Sequence, residues 1–217
     1  MKKGLPAFAF LMLAITGGCK LKQDVRPFNA ISTDTTIDKH FDIALEYLTK
    51  KLPLPSIRKG VDSFEYRFWL SGAEPGLTNL IRIRFEESSW LITETRIWSH
   101  IPAYPFNRKD TVNHLLETVI DSVKSAPIVA NIDMTTLIDS LQYFNLESAS
   151  TYKEIRNSFS PHMDGWSHSI ELADRQHYRL ISYPCPISIT GLHNFHKSMK
   201  SLFAFLQRSL PINFLPC

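Results

Sequence analysis

The sequence predicts an α+β domain: an antiparallel sheet of about five to six strands in two hairpin groups, packed with three to four helices. Three observations carry this. Between residues 62 and 98 apolar side chains recur at every second position, as half-buried strands require. A second alternating pair lies near residues 166–183. Before, between and after these blocks the apolar spacing changes to that of helices, and the helices are expected to cover one face of the sheet.

The domain starts near Thr35, where Ile37, Phe41, Ala44, Leu45 and Leu48 recur at helical spacing behind Thr and Asp residues suited to N-capping; Pro53 and Pro55 end that helix. In Asp62–Gly72, Phe64, Tyr66, Phe68 and Leu70 alternate with Glu65, Arg67 and Trp69. Across a turn at residues 71–76, Leu80–Glu86 places Ile81, Ile83 and Phe85 on one side and Arg82 and Arg84 on the other. Trp90–Trp98 sets Leu91, Thr93, Thr95 and Ile97 against Trp90, Ile92, Glu94, Arg96 and Trp98. These three strands read as a meander. Asp110 then caps an expected amphipathic helix carrying Val112, Leu115, Leu116, Val119 and Val123, with Pro127 just past its end. A shorter helix follows Asp133 with Leu137, Ile138 and Leu141 inward, and Tyr152–Phe159 reads as a weak strand. Trp166–Leu172 and Tyr178–Tyr183 form a hairpin around Asp174-Arg175-Gln176. A final helix near Leu192–Leu210 carries Phe195, Met199, Leu202, Phe203 and Leu206 on one stripe, and Pro211 stops it.

The amino terminus has a different character. Lys2 and Lys3 precede an apolar run from Leu5 to Ile15, and Gly17-Gly18 lead into Cys19. The run is too short for a membrane span, which needs roughly 20 apolar residues. The pattern resembles the signal peptide of bacterial lipoproteins, with Thr16 standing where leucine is usual. The resemblance implies diacylation of the Cys19 thiol, cleavage before it, and a palmitate-type anchor on an envelope membrane. Lys20, in place of an inner-membrane aspartate, implies outer-membrane sorting, with the domain facing the periplasm or the cell surface. An ordinary secretory leader cut near Gly18, or a retained anchor, are the competing readings. The division is then a leader at 1–18, a polar tether at 19–34, and a single α+β domain at 35–217.

With Cys19 lipidated, Cys185 and Cys217 remain as a pair, and an oxidising compartment favours a disulfide between them. The bridge would staple the tail to the domain and contribute about 3–4 kcal/mol in the chain-entropy model. Two reduced thiols are the alternative.

Composition excludes several roles. The leader takes two of the 24 basic residues, so the remaining chain holds 22 against 21 acidic, with no polycationic stripe for nucleic acid. Neither phosphate-binding glycine motif occurs, nor a G-x-S-x-G elbow or H-E-x-x-H, so no cofactor, metal or catalytic residue is assigned. His162, His168 and His177 surround Asp164 and Glu171, but His168 and Glu171, three apart on a strand, point to opposite faces. These histidines read as solvated or as hydrogen-bonded in the core. Glu86-Glu87 read as a solvated turn.

The candidate binding surface is the sheet face expected to gather Trp69, Trp90, Trp98, Arg82, Arg84 and Arg96, together with Arg67, Glu65 and Glu94. Trp and Arg bury area while keeping a polar handle, and exposed indoles can stack on sugars. Cross-strand ion pairs and tryptophans packed beneath a helix explain the same residues. Asp164-Gly165, Ile170-Glu171, Tyr178-Arg179, Tyr183 and Pro186 resemble a hairpin recurring in small uncharacterised exported proteins of gram-negative bacteria, which implies export and no activity. The leading expectation is therefore a lipid-anchored binding or structural module, held to the membrane by its lipid, whose partner is an envelope protein or glycan. An envelope hydrolase with a dispersed site and a carrier of lipid or small apolar ligands are the alternatives.

Overall fold

The computed structural model describes residues 39–52, 54–100, 118–149, 166–185 and 194–215. Among the described residues, three α-helices, α1 (Lys39–Lys51), α2 (Met134–Tyr143) and α3 (Asn194–Ser209), accompany six strands: β1 (Phe64–Ser71), β2 (Leu77–Glu86), β3 (Ser89–His100), β4 (Val119–Pro127), β5 (Trp166–Ala173) and β6 (Tyr178–Cys185). The strands form one antiparallel sheet in the order β4-β3-β2-β1-β5-β6. The α+β architecture and the two hairpin groups are as the alternation predicts.

Both faces of the sheet carry helices. On one, Phe64, Tyr66, Phe68 and Leu70 of β1 join Ile81, Ile83, Ile92, Ile170, Leu172 and Ile181 beneath α2 and α3. α2 begins at Asp133, whose carboxylate accepts the Thr136 amide at 2.8 Å, and it buries Leu137, Ile138 and Leu141. α3 buries Met199, Leu202, Phe203 and Leu206, four of the five stripe residues; the Phe195 side chain lies outside the description. On the opposite face, Leu45 of α1 and Leu52 just beyond it cover Trp69, Leu80, Ile97 and Leu180. The expectation of helices on one face only is thus corrected. The cause is that β1 is buried on both sides: its odd positions include Trp69, which is as much core as the even ones.

The helix expected from Asp110 to Val123 is also corrected in its described part, since Val119–Pro127 is a strand; residues 101–117 lie outside the description, as does the Tyr152–Phe159 segment. β4 is held by backbone pairing to β3 and is exposed along nearly its whole length. An edge strand with no buried face has no period-2 signal to read.

The Glu87-Ser88 turn settles register. Both residues have positive φ, 48° and 67°, and Glu86 pairs directly with Ser89. This two-residue hairpin places Trp90 opposite Phe85, on the side already chosen by Phe64 and Ile83.

Candidate functional site

That register divides the expected binding face. Trp69, Arg82 and Arg84 lie with Glu65 and Arg67 on the α1 side; Trp90, Arg96 and Trp98, with Glu94, lie on the other. Trp69 is 3% exposed and its indole N–H donates to Glu171 at 2.6 Å, so it belongs to the core and not to a surface. Trp90 packs beside Phe85 with ring centroids 5.2 Å apart. Half-buried Trp98 sits under the Lys124 ammonium, 5.5 Å from the ring centre, while exposed Arg96 pairs with Glu94 at 3.1 Å. The six residues therefore do not make one surface. Two of them, Arg82 and Arg84, do meet at a groove.

The groove lies between the segment 55–63, which connects α1 to β1, and the β2 end of the β2–β3 hairpin, and it has a volume of about 670 Å³. Pockets of this size are typical of small-ligand sites. Its connecting segment is held by the β5–β6 turn: the Val61 amide donates to Asp174 O at 2.8 Å, and Arg175 Nε donates to Asp62 O at 2.5 Å. Gly60 permits that approach. It has φ +91°, and a Cβ there would lie 2.5 Å from Arg175 O. The Ser63 hydroxyl donates to the Phe85 carbonyl, closing one end of the groove onto β2.

Glu65 anchors the inner wall. Its carboxylate accepts Arg67 Nε at 2.6 Å and Arg82 Nε and Nη2 at 2.9 and 3.2 Å. Burial disfavours its ionised form, but the two guanidinium groups outweigh that and hold the carboxyl below its ordinary range. Arg67 is wholly buried and also donates to Pro55 O at 2.7 Å, which ties the connecting segment to the sheet. Behind them, Glu171 accepts from Trp69 and from the Tyr178 hydroxyl at 2.8 Å. The inner wall is thus rigid and charge-balanced. Nearer the mouth, Arg84 Nη1 meets Glu86 at 2.6 Å, with Arg84 about one-third and Glu86 nearly half exposed.

Asp62, Glu86 and Glu87 at this groove were not singled out as binding residues by sequence reasoning. Only the closure of a loop onto a hairpin brings them together, and no spacing along the chain records it. Among the histidines, His168 is buried and hydrogen-bonded, on the face opposite Glu171, while His177 completes the β5–β6 turn by donating its amide to Asp174 at 2.7 Å; His162 lies outside the description. Among the described residues no three His, Cys, Asp or Glu converge as metal ligands, and no helix is long and apolar enough to cross a membrane. Cys19 and Cys217 lie outside the described residues, as does the side chain of Cys185. Comparison with protein-family models, curated proteins and solved structures gives no match.

Proposed function

We propose that this chain is an envelope lipoprotein of the binding class: an α+β domain tethered through lipid on Cys19, on the outer membrane, which takes a ligand in the groove beside Arg82 and Arg84. The groove carries the reading. Its volume suits a small ligand or a segment of a larger one, and its guanidinium groups stand on adjacent alternate positions of one strand, held by Glu65 and Glu86. Lys2, Lys3, the apolar run and Gly17-Gly18-Cys19 support the anchor.

A Cys185–Cys217 bridge belongs to the same proposal. Leu215 O accepts from His168 Nε2 at 3.0 Å, and His168 pairs across the hairpin with Tyr183, two residues before Cys185. The tail thus approaches the strand end that carries Cys185. Non-reducing mass spectrometry of envelope-derived protein should find the linked peptide; free thiols at both positions would remove the bridge.

Two measurements test the main proposal. Cys19→Ala should abolish palmitate labelling and membrane sedimentation, and retention of both would place the anchor elsewhere. A photo-crosslinking residue at Ser56, on the groove wall, should capture a cellular component that the same residue at Ser201, on the exposed side of α3, does not. Equal capture from both positions would reject the groove as the binding site.

A further inference from the structure

The groove charges do not cancel. Arg82 is taken up by Glu65, and Arg84 by Glu86. The carboxylates of Asp62 and Glu87, both exposed on the lining, have no side-chain partner among the described residues. The lining therefore carries a surplus of negative charge beside a guanidinium that is only partly used. Arg84 makes one hydrogen bond, from Nη1 to Glu86, and the guanidinium is about one-third exposed. Exposed pairs of this kind contribute little, so a carboxylate presenting two oxygens competes well for the same arginine. Glu86, once displaced, adds a third acidic group near Asp62 and Glu87. The remaining lining includes apolar Pro55, exposed, and Val61, half-buried.

An anion alone would face the acidic surplus, and a cation alone would face Arg84. A ligand bearing both charges around an apolar body answers all three features. We propose that the groove binds a short peptide with both ends free: its terminal carboxylate on Arg84, its terminal ammonium toward Asp62 and Glu87, and an apolar side chain against Pro55 and Val61. This rests on the groove being the binding site, and it names the chemistry that site recognises.

The test is calorimetric titration of the purified lipidated chain, in detergent, with the tripeptide alanyl-leucyl-alanine, its N-acetyl form and its C-terminal amide. Capping either end should weaken binding at least tenfold, although each cap makes the peptide more apolar and favours detergent. Arg84→Gln should weaken binding of the free tripeptide and remove the amide penalty. Asp62→Asn combined with Glu87→Gln should remove the acetyl penalty. The proposal is overturned if the free tripeptide does not bind at millimolar concentration, if the three peptides bind alike to the parent chain, or if the penalties survive the substitutions. Persistence of Ser56-specific crosslinks alongside any of these results would reject the peptide and leave the groove as the site.

Discussion

Lowering the pH should titrate a histidine that this fold accepts only when neutral. His168 is wholly buried between Phe203 and Phe214, with ring centroids 4.7 and 5.6 Å away, and it faces the same side of the sheet as its cross-strand neighbour Tyr183. Its Nδ1 accepts the Ser71 amide at 3.1 Å and its Nε2 donates to Leu215 O at 3.0 Å. A second ring proton would point at a backbone N–H. Burial lowers its pKa from 6.5 to about 4, against a smaller upward pull from the Leu215 carbonyl. The unfolded chain then binds more protons than the folded one between these two values, so stability is complete above the upper value and falls as pH drops toward the lower. The loss from this residue is about 2 kcal/mol by pH 5 and approaches about 3 kcal/mol when the window is crossed. His168→Phe keeps the ring, removes the titration and leaves Ser71 N–H and Leu215 O without this partner, which costs about 2 kcal/mol at pH 7.5. Urea unfolding followed by tryptophan fluorescence at pH 7.5, 6.5, 5.5 and 5.0 measures both effects. The variant should be less stable at neutral pH and should lose about 2 kcal/mol less than the parent on going to pH 5. Equal pH slopes in parent and variant would refute the reasoning.

Three further outcomes follow from the geometry. Glu87→Asn with Ser88→Gly relieves two positive-φ positions and should raise stability by about 1 kcal/mol, seen as a rise of about 2–4 °C in Tm. Glu65→Gln leaves wholly buried Arg67 without its anion and should cost about 3 kcal/mol by urea titration, whereas Arg84→Gln at the mouth should cost at most about 0.5 kcal/mol. Glu147, buried beneath the Tyr66 hydroxyl at 3.2 Å, has its pKa raised by burial, so its stabilising protonated form is lost as pH rises through the folded-state value. Glu147→Gln should therefore exceed the parent in stability at pH 8 by on the order of 1 kcal/mol, with the difference shrinking toward pH 4 in thermal melts.

Most of the fold was legible because most elements bury one face. Phe64, Tyr66, Phe68 and Leu70 announce β1, and the five named apolar residues of the last helix announce α3. The short helix expected after Asp133 is α2, carried by the spacing of Leu137, Ile138 and Leu141. β4 was illegible because it buries no apolar face, and the spacing of Val119 and Val123 fits a helix equally well. The binding face went astray for a different reason. Alternation sorts residues within a strand, but relating one strand to the next needs the hairpin register, here a turn of Glu87-Ser88 without the usual asparagine and glycine. Hence Arg82 and Arg84 were grouped correctly with each other and wrongly with Trp90, Arg96 and Trp98. The groove depends on contacts such as Arg67 to Pro55 and Arg175 to Asp62, the latter 113 positions apart, and no local pattern encodes those.

The placement of β1 between β2 and β5 has a consequence for how the chain matures. β2 follows it after a short turn, while β5 begins only at Trp166. A nascent chain can thus assemble its first meander with one side of a strand buried on both faces still unzipped, displaying unmatched amides to any neighbour. Until the late hairpin arrives, the immature molecule is adhesive at its own centre, so holdase protection should matter most in the interval before that hairpin is made.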